Sequence, residues 1–188
     1  MTAPPPETAE AGIPSPFLLE SLAALLHAAR SGPVLDVACG RGRNALPLAA
    51  RGAGVVGIDR NTGALRELSA RARARRLTLQ LVRAELERGG SLPLADASCA
   101  GLMVFRYLFR PLVPELLRVL RPGGLLLYET FMIHQRELAN GPRNPAFLLQ
   151  PGELRELFRG LHVLHYSEAI WPQPRPYAAA RLLARRPA

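Results

Sequence analysis

The densest group of residues able to do chemistry is Asp36-Val37-Ala38-Cys39-Gly40-Arg41-Gly42-Arg43-Asn44. It follows a short apolar run, Val34–Ala38, and opens a helical stretch, Asn44–Arg51. Glycines at 40 and 42 permit a tight turn and close backbone approach to a ligand, and the following helix aims its first amides at the same point. A second acid, Asp59, closes the next apolar run, Val55–Ile58. It comes close to the ~20-residue spacing at which an acid grips ribose hydroxyls. Gly40-x-Gly42-x-x-Ala45 also meets the loose dinucleotide fingerprint. Three features argue against a nicotinamide dehydrogenase. Asp36 precedes Gly40 by four residues, where a dinucleotide has no need of a carboxylate but a ligand bearing an amino-acid ammonium does. A whole helix comes before the first strand, and no second domain remains to hold a hydride acceptor.

These residues need a frame. The chain has 188 residues, 48% hydrophobic and 21% charged, which fits one soluble globular domain. Residues 1–14 are rich in Pro, Ala and Glu and read as a flexible tail, leaving 15–188 as the domain. Ser15 offers an N-cap and Pro16 a first helical position. Phe17, Leu18, Leu22, Leu25 and Leu26 then recur at helical spacing as far as Arg30–Gly32. Beyond it, apolar runs at Val34–Ala38, Val55–Ile58, Leu77–Val82, Leu102–Phe105 and Leu125–Tyr128 alternate with helical stretches at Asn44–Arg51, Thr62–Arg75 and Val113–Leu120. Continuous apolar strands alternating with helices predict a parallel sheet covered on both faces. Pro122-Gly123-Gly124 stops the last of these helices. Phe131–Gln150 reads as a polar excursion and Pro151–Arg159 as a short helix. Leu161–Ile170 and Tyr177–Ala184 read as strands joined by a link too short for a parallel crossover. The expected fold is therefore α/β: a Rossmann-like, seven-stranded, mostly parallel sheet with helices on both faces and a C-terminal antiparallel hairpin pair.

Asp36–Asn44 with Asp59 resembles motifs I and II of the class I methyltransferases, and residues 36–61 are similar to the tellurite-resistance methyltransferase family. Ala84-Glu85-Leu86, Leu120–Gly124 and Tyr128-Glu129-Thr130-Phe131 fit the same pattern. Ala38 stands where many relatives have glycine, Glu85 stands where Asp is common, and Phe131–Pro151 departs from the tellurite-type region. The resemblance implies S-adenosylmethionine as cofactor. It implies that backbone at Ala38, Gly40 and Gly42 lines the methionine–ribose part, with Asp36 orienting the loop and the ammonium. Asp59 would take the ribose hydroxyls and Arg60 flank the adenine. Glu85 would accept from the adenine amine, Leu86 give backbone contacts, and Phe105 with Arg106 lie beneath the methionine end.

An acceptor binds beyond the carboxyl ends of the strands in an open α/β sheet. Arg106 and Tyr107 after the fourth strand, and Glu129 after the fifth, are the expected catalytic and substrate-handling residues. They are joined by His134 on an excursion that could close as a lid, together with Arg136 and Arg143. Glu129 or His134 could take a proton, and the arginines point to an anionic acceptor. No metal is signalled, because His162 and His165, three apart on a strand, are expected to face opposite ways. A small-molecule acceptor is the leading expectation. The net charge of +9 carried by 24 basic residues, all arginine, keeps an RNA or protein acceptor as the alternative, not favoured because no aromatic platform interleaves Arg66, Arg71, Arg73, Arg75 and Arg76. A non-catalytic cofactor-binding regulator is the third reading. Two cysteines, no run of 18 apolar residues, and Pro4, Pro5, Pro6, Glu7 and Glu10 in place of a basic signal region predict a cytoplasmic protein without membrane association.

Overall fold

A computed structural model describes residues 12–89, 91–172 and 175–188. Residues 1–11 of the expected tail lie outside these. In chain order the elements are α1 (Pro16–Ala28), β1 (Val34–Val37), α2 (Ala45–Ala49), β2 (Val55–Asp59), α3 (Thr62–Ala74), β3 (Gln80–Arg83), β4 (Cys99–Phe105), α4 (Val113–Val119), β5 (Leu120–Phe131), α5 (Glu153–Leu157), β6 (His162–Trp171) and β7 (Tyr177–Arg185). They form one seven-stranded sheet in the order β3-β2-β1-β4-β5-β7-β6. β1 to β5 are mutually parallel, and β7 is antiparallel to both β5 and β6. This is the expected Rossmann-like architecture with its C-terminal antiparallel pair.

Strand alternation sorts the core into two layers. Leu35, Val37, Val56, Ile58, Leu102, Val104, Leu126 and Tyr128 pack under α4 and α5. Val34, Val55, Met103, Phe105, Leu125 and Leu127 pack under α1 and α2. β4 is buried at all seven positions, as a central parallel strand covered on both faces must be. Asp36 lies on the α1/α2 side, paired in register with Gly57 and Met103. The fold thus places a carboxylate in an otherwise apolar layer.

Local signals explain the helix ends. The Ser15 hydroxyl accepts from the Phe17 amide at 3.2 Å, with Pro16 at the first helical position. Asn61 caps α3 by accepting from the Ala64 amide at 3.1 Å. α3 ends in a Schellman motif: the Leu77 amide donates to Ala72 O and the Arg76 amide to Arg73 O, both at 2.9 Å. Arg76 sits at φ 56° in the left-handed region that this motif usually reserves for glycine. The motif also corrects the expected third strand. Leu77 is tied back to α3, and Leu77 and Leu79 pack against the helix layers, so β3 pairs only from Gln80.

Two further expectations are corrected. Pro122-Gly123-Gly124 follows the helix end but lies inside β5, whose register jumps from Cys99↔Leu120 to Gly101↔Leu125. The jump accommodates this segment as a bulge. β6 has a bulge between Val163 and His165, so His162 and His165 pair with Arg185 and Leu183. Those partners are two apart, so the two histidines share a face instead of opposing.

Replacing Arg76 by glycine removes a side chain from left-handed backbone on an exposed turn. The expected outcome is a gain of about 0.5–1 kcal/mol in urea unfolding; a loss would mean that the Arg76 side chain itself holds the turn.

Candidate active site

The loop after β1 turns by placing three residues in left-handed conformation: Ala38 at φ 53°, Gly40 at 52° and Gly42 at 74°. Alanine at 38 bears a Cβ where glycine would be relaxed, a strain of about 1–2 kcal/mol. Strain of this kind persists where the surroundings over-determine the backbone. Here they do: the Cys39 amide donates to Ile58 O at 3.0 Å and the Gly42 amide to Cys39 O at 2.9 Å. The Gly40 amide donates to Asp59 Oδ2 at 2.8 Å. Gly42 is required for a second reason, since a Cβ there would lie 2.2 Å from Leu68 Cδ1 of α3.

Asp59 Oδ1 also accepts from the Asn61 amide at 2.8 Å. Each carboxylate oxygen keeps a further lone pair for a hydroxyl donor. Asp36 is 3% exposed. Burial pushes its carboxyl up to about 7, nearby Arg43 pulls it down, Asp59 pushes it up, and the Ala45 amide bonds it and lowers it. Its Oδ2 has no hydrogen-bond partner among the described residues. A buried carboxylate oxygen without a donor is costly, and a ligand ammonium is the donor that would relieve it. The loop and its two acids therefore fit S-adenosylmethionine. Cys39 is buried, and burial pushes its thiol well above the ordinary range, so it is no nucleophile.

The ends of β2 and β3 frame a cleft of about 260 Å³ lined by Arg60, Arg83, Ala84 and Glu85. Arg60 lies 3.7 Å from Glu85 and 3.9 Å from Glu87, and the Ala84 amide donates to Asp59 O at 3.1 Å. Leu86 is buried in the core beneath this cleft, and Phe105 is buried in the layer below α1 and α2.

After β4 consecutive side chains point into different surroundings. Arg106 takes φ 55°, with its amide donating to Glu129 O at 2.8 Å. Its guanidinium lies 5.7 Å from the ring centres of both Phe131 and Tyr177, on the β5–β7 side. Tyr107 packs partly against the core layer under α4 and α5, and burial raises its hydroxyl well above the ordinary range, with Glu87 and Glu85 adding to the shift and Arg60 opposing it.

The candidate base Glu129 is placed differently from the expectation. It is 2% exposed. Its Oε1 accepts from Ser15 Oγ at 3.1 Å and its Oε2 from Arg181 Nε at 2.7 Å. Arg181, equally buried, donates on to the Tyr177 hydroxyl at 2.9 Å and lies 4.0 Å from the Trp171 ring centre and 5.2 Å from that of Phe17. Asn44 joins by accepting the Ser15 amide at 3.0 Å. Glu129 is thus the centre of a buried ion pair that docks α1 against β5 and β7, with both of its oxygens already engaged and the exposed Glu20 carboxylate 3.8 Å from Arg181. Sequence reasoning passed over Ser15, Tyr177 and Arg181 in this role. The signal available was that Tyr177 and Arg181, four apart on a strand, share a face.

His134 is exposed on a 3-10 turn, Ile133–Glu137. The excursion bearing it is bonded to the body of the domain at several points. The Gln135 side chain is fully buried and accepts from the Ala178 amide at 2.8 Å. The Ile133 amide donates to Leu149 O and the Leu149 amide to Phe131 O, and Arg110 donates to Ala146 O, Leu148 O and Glu153. Arg143 donates to Arg136 O and Leu138 O within the excursion. Among the described residues no group of three His, Cys, Asp or Glu side chains could hold a metal ion. No helix among them is long and apolar enough to cross a membrane.

Two outcomes follow from this electrostatics. A carboxyl raised in the folded state favours the protonated fold, so ligand-free protein should lose stability as pH rises from about 4 to about 7 and level off above. The Asp36 contribution is at most roughly 4 kcal/mol. Asp36→Asn should remove that slope in urea unfolding followed against pH; an unchanged slope would contradict the burial argument. Glu129→Gln should destabilise the fold by about 3 kcal/mol, because it leaves buried Arg181 with only the exposed Glu20 carboxylate, 3.8 Å away, as counter-charge. A variant of normal stability with slowed turnover would restore Glu129 as a catalytic base.

Residues 34–124 match the family model described as a methyltransferase domain. No curated protein matches the chain. Among solved structures, it is similar to a SAM-dependent methyltransferase from Methanosarcina mazei: 21% identity over 82% of this chain and 92% of that one, TM-score 0.68. It is similar to TehB from Haemophilus influenzae at 22% identity, covering 87% of this chain and 62% of that one, TM-score 0.66. A protein described with the conversion of a disulfide bond into a thioacetal group in echinomycin biosynthesis superposes over 98% of this chain and 86% of its own, at 22% identity and TM-score 0.73. The matched segment, the strand order and the loop built on Asp36, Gly40 and Asp59 agree: residues 34–124 match a methyltransferase domain, and the chain has the fold of the S-adenosylmethionine-dependent methyltransferases it is similar to.

Proposed function

We propose that this enzyme methylates a small-molecule acceptor by in-line displacement, without a metal. The observation that carries the reading is the set of planar groups gathered beyond β4, β5 and β7. Trp171 stacks on Tyr177 with ring centres 5.8 Å apart, Phe131 meets Tyr177 edge-on at 6.5 Å, and Arg106 lies over the last two. Such a wall suits one small organic molecule, with Arg106 offering a planar cation to an anionic group.

When bound, the cofactor's sulfonium supplies an already activated methyl group. The protein's part is therefore to position both partners and exclude water, which can contribute ~7–11 kcal/mol. Asp36 faces the ammonium, backbone at Ala38, Gly40 and Gly42 lines the methionine–ribose part, and Asp59 receives the ribose hydroxyls. Arg60, Glu85 and Leu86 serve the adenine, with Phe105 packed below. Glu129 positions: through Arg181 it fixes Tyr177 and hence the acceptor wall. His134, exposed on the turn that follows β5, is the candidate to accept a proton from the acceptor. Residues 15–188 act as one domain. The two cysteines are free and buried, which suits a reducing, cytoplasmic setting. The RNA reading is weakened by Arg71, whose Nη1 donates to Arg41 O at 2.8 Å while Arg41 pairs with Glu67. Those charges are committed to holding α3 against the loop.

Incubation with methyl-labelled cofactor and a bacterial extract, followed by separation of small-molecule, RNA and protein fractions, tests the acceptor. The expected result is label in the small-molecule fraction. Asp59→Ala should weaken cofactor binding tenfold or more, as loss of a charged acceptor worth about 1.5–3 kcal/mol requires. Label in RNA or protein would replace the acceptor class, and no transfer to any fraction would favour a regulatory module.

A further inference from the structure

We infer that β6 pairs antiparallel with β6 of a second copy of this chain, joining two seven-stranded sheets into one across a two-fold axis at Ser167.

The sheet has two outer strands, β3 and β6, and they are built differently. β3 is four residues long and closes on the exposed Arg83. Shortness and charge are how an edge avoids pairing with another chain. β6 runs for ten residues, His162–Trp171, ~33 Å at the usual rise. It contains no proline and none of the chain's 24 basic residues. Its Val163, Leu164 and Ile170 side chains are 38, 50 and 56% exposed. An outer strand this long and apolar is a pairing surface.

The strand is also its own complement. With Ser167 opposite its copy, Tyr166 meets Glu168, Val163 and the bulged Leu164 meet Ile170, and His162 meets Trp171. Opposed side chains must share a face of the sheet. These do, because the β7 partners of each pair are an even number of residues apart: Leu182 and Ala180, Ala184 and Ala178, Arg185 and Tyr177. The bulge makes this possible. Without it Val163 and Ile170, at odd spacing, would face opposite ways. In this register the exposed apolar side chains of β6 cover one another and no like charges are opposed. Centring the axis on Tyr166 instead sets Glu168 against Val163 and Leu164. Centring it on Glu168 sets that carboxylate against its own copy. The favoured register also lays His162 of the second copy beside Trp171, which stacks on Tyr177, so the contact reaches the edge of the acceptor wall.

Sedimentation of the full chain at tens of micromolar should give twice the chain mass. Physiological salt screens the repulsion between two chains of net charge +9 beyond ~8 Å. Ile170→Arg should return the mass to a single chain. Leu19→Arg, at a comparably exposed apolar position on α1, should leave the pair intact. A single-chain mass for the wild type, a paired Ile170→Arg, or loss of the pair in Leu19→Arg would overturn the inference. Cross-linking reads the register itself, against a background of two buried native cysteines. Ser167→Cys should oxidise to a disulfide-linked pair, since opposed residues in an antiparallel ladder have Cα atoms ~4.5–5.5 Å apart, within disulfide reach. Ala169→Cys, more exposed but displaced from its own copy by four residues, ~13 Å, should not. Linking through Ala169→Cys as readily, or none through Ser167→Cys, would equally overturn the pairing.

Discussion

A single hydrogen bond, from the Gly40 amide to Asp59 Oδ2 at 2.8 Å, joins the loop after β1 to the end of β2. The loop could not hold its shape alone, because alternate left-handed residues including Ala38 are costly in an unrestrained chain. The bond works because β1 and β2 are neighbours in parallel register, Val37 beside Ile58, so both strand ends arrive at the same edge. Asp59 carries two duties at once: it pins the loop and accepts from the Asn61 amide, with further lone pairs left on both oxygens. α3 depends on the same arrangement. It packs Leu68 against the space over Gly42, and Arg71 reaches back to the loop carbonyl of Arg41.

The acceptor half has its own constraint, the buried pair of Glu129 and Arg181. Removing two charges from water is expensive, and the arrangement offsets the cost by satisfying nearly every polar atom: Ser15 and Arg181 on the carboxylate, Tyr177 on the guanidinium, and two rings against its faces. It ties together segments from both ends of the chain. The left-handed turn at Arg106 separates consecutive side chains: Arg106 lies against Phe131 and Tyr177, and Tyr107 packs toward the core.

Much of this was legible in local spacing. Asp36, Gly40, Gly42 and Asp59 sit within a stretch short enough that spacing alone sets their relation, and the strand–helix alternation predicts the sheet. What was not legible depends on distant register. Glu129 reads as a free carboxylate until β7 brings Arg181, 52 positions away, beside it. His162 and His165 change relation because one bulge shifts the period of β6. Leu77 and Leu79 have strand-like character, yet the Schellman closure at Arg76 claims the chain first.

The central claim is that the loop held by Asp59 is a site for the methyl donor and not for a dinucleotide. Calorimetric titration of the full chain with S-adenosylhomocysteine and, separately, with NAD tests it most directly. The account predicts saturable micromolar binding of S-adenosylhomocysteine at one site per chain and no heat with NAD. Preference for NAD, or no binding of S-adenosylhomocysteine, would contradict it.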